Sequence, residues 1–238
     1  MFYPFYFDPT YILVIIGLAI SGLASSYVQS TFNRYSDVHT KLGYNASEIT
    51  RYILDYANLE NVKIERVRGN LTDHYDSNNK VLRLSDATND STSVAAIGVA
   101  AHEAGHALQD RDNYVYLRLR SALVPITNIG QTAAFPILLI GAIIGPGAGQ
   151  TLINLGLILF SLTFIFQVVT LPVELNASNR ALSILESEQI LVGDELEGAN
   201  KVLRAAALTY VAAAIASFLN VFRIFLIFGG GNNNRRGN

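Results

Sequence analysis

Long segments without a charged residue constrain this chain more than any other feature. No Asp, Glu, Lys or Arg occurs between residues 9 and 33, and the apolar core at residues 11–28 is about as long as a helix that crosses a bilayer. A cleaved signal peptide is the alternative, but no Lys or Arg precedes this core, and it exceeds the roughly 7 to 15 apolar residues of a signal peptide. The sequence therefore predicts a first membrane helix at residues 9–30.

A second, much longer uncharged segment lies between Arg120 and Glu174. It is too long for one membrane helix, and the sequence GPGAGQ at residues 145–150 interrupts it, so we expect a hairpin of two membrane helices over residues 121–172. A fourth apolar run predicts a membrane helix at residues 205–228, and the Gly- and Asn-rich tail at residues 229–238 is expected to be disordered. The predicted fold is mainly α and integral to the membrane, with about four membrane helices.

Four crossings would place residues 31–120 and 173–204 on the same side of the membrane. Basic residues near the helix ends lie mainly on that side, which favours a cytoplasmic location in a multi-pass protein of the plasma membrane. These residues are Arg34, Lys41, Arg111, Arg118, Arg120, Arg180, Lys201 and Arg204, whereas Arg223, Arg235 and Arg236 count against the assignment. The chain has no cysteine, and its net charge of −2 without a basic stripe gives no indication of nucleic-acid binding.

Residues 31–120 are more polar and predict a small α+β region. Asn45 or Ser47, followed by Glu48, is typical of the start of a helix. The segments VKIERVRG and VLRLS alternate apolar and polar residues, which predicts two strands in a hairpin or small sheet. An alanine-rich helix then follows, with Asp90 or Ser91 as its expected cap.

This alanine-rich helix carries the sequence HEAGH, in which His102 and His106 are four residues apart. Side chains at this spacing lie on one helix face, so both imidazoles can bind one zinc ion. Glu103 follows the first histidine and is the candidate general base for a zinc-activated water, while Ala104 and Gly105 are expected to leave space beside the metal. The alternative is a chance match on an ordinary helix, but three unpaired polar groups there would be costly to bury.

A catalytic zinc site of this kind needs a third protein ligand. No histidine follows His106, so the candidates are His39, His74 or a carboxylate. Glu174 is the strongest candidate because it ends the longest uncharged segment, where the third membrane helix returns to the side that carries His102. The alternative is that Glu174 only marks the membrane boundary or caps a helix after Pro172.

Three segments, AAHEAGHALQ, LTDHYDSNNKVLRLS and LPVELNASNRAL, resemble the bacterial membrane-bound neutral zinc metallopeptidases of the YugP type, over nearly the whole chain. The layout is also distantly similar to the HtpX and CAAX prenyl protease families. This resemblance implies a gluzincin-like site at the cytoplasmic face, with one zinc per chain bound by His102, His106 and Glu174, and with Glu103 as the base. The distant relatives have an acidic residue four positions after the ligand glutamate, where it orients a ligand histidine. This chain has Ser178 there, which can accept the same hydrogen bond but supplies no charge.

Two further polar residues are weaker candidates. The related proteases hold the substrate backbone on an edge strand near the metal, so His74 could donate a hydrogen bond to the oxyanion, or it could be an ordinary turn residue. Arg180 could stabilise the site or lie at the membrane interface.

The sequence thus predicts a membrane-embedded zinc endopeptidase that acts on a protein or peptide substrate. The alternative is a catalytically silent membrane scaffold or metal-responsive binding protein that keeps zinc for structure. A transporter is disfavoured because the apolar runs at residues 11–28, 121–172 and 205–222 carry no Asp, Glu, Lys, Arg or His that would mark a pathway. The sequence does not indicate the oligomeric state.

Overall fold

The computed structural model describes residues 8–145 and 147–228, so the predicted disordered tail at residues 229–238 lies outside the described residues. The described residues form six helices and three strands. In chain order these are α1 (Tyr11–Ser36), α2 (Ala46–Tyr56), β1 (Lys63–Val67), β2 (His74–Asp76), β3 (Val81–Ser85), α3 (Val94–Arg111), α4 (Val115–Ile144), α5 (Ala148–Ser187) and α6 (Asp194–Phe228).

Four of these helices, α1, α4, α5 and α6, are long and apolar enough to cross a membrane. Large apolar side chains on them are exposed, for example Leu18 at 68% and Ile143 at 76%, as expected for surfaces that contact lipid. The predicted fold class, a mainly α membrane protein with a small α+β part, is confirmed.

The chain divides into two compact units, and the first consists of the described residues of Met1–Leu23, Leu119–Thr170 and Tyr210–Asn238. Its helices approach closely at small residues. A Cβ atom added to Gly149 would lie 2.3 Å from the carbonyl oxygen of Gly141, so α4 and α5 pack there backbone to backbone. Such contacts between small residues are typical of membrane helices.

The second unit consists of Ala24–Arg118 and Leu171–Thr209 and has an apolar core. In its helix α2, Asn45 accepts a hydrogen bond from the Glu48 backbone while the Glu48 side chain accepts one from Asn45, so the predicted cap is confirmed. The predicted cap of α3 is wrong. Ser93 caps this helix by accepting a hydrogen bond from the Ala96 backbone, whereas Asp90 pairs with Arg66 instead.

The three strands form one mixed sheet in the order β1-β3-β2. The two predicted strands, β1 and β3, are parallel rather than a hairpin, with Lys63 opposite Val81. His74, for which an ordinary turn position was one alternative, lies in β2, which pairs antiparallel with β3. Asp76 accepts hydrogen bonds from the backbones of Asn78 and Asn79, which forms a tight turn between β2 and β3. β2 is therefore the hairpin partner of β3, and β1 pairs in parallel with the other edge of β3.

Candidate metal centre

Two polar stripes face each other within the second unit. On α3, His102, Gly105, His106 and Gln109 follow the spacing of a single helix face. On α5, Glu174 and Ser178 are one turn apart on either side of Ala177. The stripes meet because Gly105 lies directly against the backbone of Ala177.

Side chains from both stripes converge at one point. The Nε2 atom of His102 lies 3.2 Å from Oε2 of Glu174, and the Nε2 atom of His106 lies 3.5 Å from the same oxygen. Each of these three residues offers a ligand atom, and the three atoms lie within 4.8 Å of one another. Glu174 is 2% exposed and His106 is 7% exposed, so the cluster is largely removed from solvent.

The other ring nitrogen of His106 is held by Gln109. Nδ1 of His106 lies 3.0 Å from the amide oxygen of Gln109, and because that oxygen only accepts hydrogen bonds, Nδ1 carries the proton. The Gln109 amide nitrogen donates to the Val173 carbonyl and to Asn176, which fixes the orientation of the amide. In the neutral ring, Nε2 therefore presents a lone pair to the point where the three ligand atoms meet.

The other ring nitrogen of His102 lies beside Ser178. Nδ1 of His102 is 3.0 Å from the Ser178 hydroxyl oxygen. The hydroxyl can accept a hydrogen bond from Nδ1, which leaves Nε2 free to bind a metal.

The electrostatic environment of the cluster favours a positive charge on the groups placed within it. Burial alone would lower the pKa of His106, but the hydrogen bond to Glu174 and the charge of Glu103 raise this pKa above its ordinary value. Two imidazoles and one carboxylate also make the donor set of many catalytic zinc sites, which leave the fourth position open. The residues present therefore fit a zinc ion.

A family model described as "Putative neutral zinc metallopeptidase" matches residues 10–229 of this chain. The chain belongs to this zinc metallopeptidase family. It is also 45% identical over 221 residues to "Putative membrane protease YugP" of Bacillus subtilis (strain 168), a match that covers 93% of this chain and 97% of the relative. No solved structure matches the chain. The resemblance found in the sequence is confirmed, and the protein is a membrane zinc peptidase with zinc as its cofactor.

Gly105 of this metallopeptidase does not leave an open space beside the grouped His102, His106 and Glu174 side chains, contrary to the expectation from sequence. A Cβ atom at this position would lie 2.4 Å from the carbonyl oxygen of Ala177. The backbone of α5 thus fills the space, and glycine is required because any side chain would separate the two helices.

Glu103 follows His102 on α3 and is 9% exposed. Its charge contributes to the raised pKa of His106, so the carboxylate lies within electrostatic reach of the ligand cluster. The grouped ligand atoms themselves come from His102, His106 and Glu174.

The other two histidines make their contacts elsewhere. Nδ1 of His39 lies 2.8 Å from the Thr92 hydroxyl, next to the start of α3. His74 is exposed, with Nδ1 2.9 Å from the Thr72 carbonyl and Nε2 3.4 Å from the Arg83 guanidinium. Arg83 belongs to β3, so this contact joins His74 to the neighbouring strand.

Arg180 is linked to the centre through other side chains. It donates a 2.8 Å hydrogen bond to Asn176, which in turn accepts from Gln109, and it forms an ion pair with Asp112. The guanidinium groups of Arg111 and Arg180 hold the pKa of Asp112 below its ordinary value.

Sequence reasoning missed Gln109 and Asn176 in this network. Gln109 lies three residues after His106, and this spacing was the available signal, because a residue there shares the helix face of the ligand. Asn176 had no comparable signal, since its role depends on the contact between α3 and α5.

We predict that Gly105→Ala weakens zinc binding strongly. The new methyl group would overlap the Ala177 carbonyl and displace α5, which carries Glu174. The matched control is Gly98→Ala on the same helix, where the added Cβ would lie 3.5 Å from Ala199, an ordinary contact. Elemental analysis of both purified variants checks the prediction, and full zinc content in Gly105→Ala would contradict it.

We also predict that Gln109→Leu lowers zinc affinity by about 10 to 100-fold, because His106 loses the acceptor that sets its tautomer and orientation. Asn176→Ala should have a smaller effect, since the Val173 carbonyl still accepts from Gln109. Competition with a zinc chelator measures both affinities. Equal affinities for wild type and Gln109→Leu would show that Gln109 does not orient the ligand.

Proposed function

We propose that the protein is an endopeptidase that hydrolyses peptide bonds with one zinc ion per chain, bound by His102, His106 and Glu174. The observation that carries this proposal is the convergence of the three ligand atoms within 4.8 Å of one another. When bound, zinc supplies Lewis acidity, which lowers the pKa of a water molecule and polarises the scissile carbonyl.

Glu103 acts as the general base in this proposal. Its carboxylate accepts a proton from the attacking water and then transfers it to the nitrogen of the departing amine. Its position directly after His102 and its low exposure support this role. The reaction needs no covalent intermediate with the protein.

His102 and His106 are held for this reaction by neighbouring side chains. Ser178 accepts from Nδ1 of His102 and Gln109 accepts from Nδ1 of His106, so both rings keep one orientation. Arg180 contributes indirectly, through its hydrogen bond to Asn176.

The substrate is a protein or peptide that extends the sheet at β2. β2 lies at the edge of the sheet, and Tyr75 in this strand donates a 2.7 Å hydrogen bond to Asp110 of α3, the helix of His102 and His106. An extended peptide could pair with such a free strand edge. The contacts of His74 with Thr72 and Arg83 favour a role in the sheet over donation to an oxyanion.

The protein would be multi-pass in the plasma membrane, with its catalytic unit, the second unit that carries the metal centre, facing the cytoplasm. The excess of basic residues near the membrane helices on that side supports this orientation.

A structural zinc site in a silent scaffold is the alternative function. Structural zinc sites are closed by four protein ligands, whereas three group together in the described part of the chain. This difference favours an enzyme.

We predict that Glu103→Gln keeps about one zinc per chain but loses about a thousandfold in cleavage of an unfolded casein-like substrate, because the base is removed and the ligands remain. Glu174→Ala should lose both zinc and cleavage. Elemental analysis and a fluorescent cleavage assay on detergent-purified protein measure the two properties separately.

The controls are Glu186→Gln and Glu186→Ala, which change an exposed glutamate on the same helix as Glu174. Both should keep zinc and activity. If the protein binds zinc but no cleavage depends on Glu103, the scaffold is favoured. If Glu174→Ala and His102→Ala both keep their zinc, the proposed ligand set is refuted.

The absence of native cysteine allows a direct test of membrane orientation. We predict that a membrane-impermeant maleimide labels Gln150→Cys in intact cells, whereas Asn78→Cys is labelled only after lysis. Both residues are exposed, at the start of α5 and in the turn between β2 and β3. The reverse pattern would place the catalytic unit outside the cytoplasm.

A further inference from the structure

A second polar site lies at the end of α1, apart from the metal centre. It is a cavity of about 420 Å³ lined by Tyr27, Ser30, Thr31, Arg34, Tyr35 and Lys201. Five of these residues follow the spacing of one helix face on α1, and Lys201 comes from α6. Residues distant in sequence therefore form one cavity that is rich in hydroxyl groups and carries two cations.

Close packing between α1 and α6 forms this cavity. A Cβ atom added to Gly198 would lie 2.8 Å from two ring atoms of Tyr35, so the tyrosine ring rests directly on α6. Lys201 is one turn beyond Gly198 on the same helix face. The glycine thus allows the two helices to approach, which brings Lys201 beside the face that carries Arg34.

The charge of the cavity suits a singly charged anion. Lys201 forms a 2.5 Å ion pair with Glu197. The charges of Lys201, Glu197 and Arg34 together sum to one net positive charge. Arg34 can bind a phosphate through two parallel N–H groups, and the Tyr27 hydroxyl offers a further donor. A phosphodiester carries one negative charge and several acceptor oxygens, which matches these donors.

The position of the cavity along the helices indicates where this anion comes from. Arg34 lies about 9 Å along α1 beyond residue 28, where the apolar run ends, and Lys201 lies about 6 Å before residue 205, where the fourth apolar run begins. The polar headgroup layer of a bilayer extends about 5 to 8 Å beyond the hydrocarbon core, and the long side chain of Arg34 can reach back into this layer. Both cations are therefore at the level of lipid headgroups on helices that are candidate membrane spans.

From this juxtaposition we propose that the cavity between α1 and α6 binds the phosphate headgroup of an anionic phospholipid. Arg34 and Lys201 bind the phosphate, and the hydroxyl of Tyr27 donates a hydrogen bond to a phosphate oxygen. Basic pockets between membrane helices are known to bind anionic lipid headgroups. The site is independent of the proposed peptidase reaction.

The test uses full-length protein in nanodiscs. Wild type should gain thermal stability when phosphatidylglycerol replaces phosphatidylcholine, and native mass spectrometry should detect retained phosphatidylglycerol. The double variant Arg34→Gln, Lys201→Gln should bind this lipid about tenfold more weakly. The matched control Arg118→Gln, Arg120→Gln removes the same charge at the start of α4 and should retain wild-type affinity.

Two variants and one soluble probe distinguish the outcomes. Arg34→Lys with Lys201→Arg keeps the charge and should restore most of the affinity, which separates loss of charge from loss of folding. Inorganic phosphate at millimolar concentration should not replace the lipid. Three results would each overturn the proposal. The first is equal thermal stabilisation by phosphatidylglycerol and phosphatidylcholine, and the second is an equal loss of lipid affinity in the double variant and the control. The third is that inorganic phosphate stabilises the protein as much as the anionic lipid does.

Discussion

The close contact between α3 and α5 at Gly105 is the constraint on which the catalytic unit depends. Because Gly105 has no side chain, the backbone of Ala177 approaches it directly, and the residues on either side of Ala177 reach the histidines of α3. Glu174 and Ser178 flank this contact point on α5. The ligand cluster is thus a consequence of helix packing as much as of the histidine motif.

Burial explains why the cluster needs a complete set of partners. Burying a carboxylate without compensating interactions is costly, and Glu174 is 2% exposed. Two imidazoles offset part of this cost, and a divalent cation would offset it further. The fully buried Gln109 joins His106 to Val173 and Asn176, so it stabilises the cluster while it orients the ring.

The sequence predicted what depends on local patterns. The four helices that are long and apolar enough to cross a membrane were predicted from uncharged runs, and the grouping of His102 and His106 was predicted from a four-residue spacing. Glu174 was found because a carboxylate at the end of a long uncharged segment is unusual. The parallel pairing of β1 with β3 and the role of Asn176 were missed, because both arise from contacts between segments distant in sequence, which no local periodicity encodes.

The continuity of α5 explains why Glu174, and not another nearby carboxylate, meets the histidines. A helix turns by about 100° for each residue, so moving the carboxylate by one position would direct it away from α3. Ser178 keeps the correct face because it lies one turn further along, whereas Glu186 is exposed on the same helix. The proposed third ligand is therefore specified by helical register relative to Ala177, and substitutions that shift this register should abolish zinc binding even when His102, His106 and Glu174 are all retained.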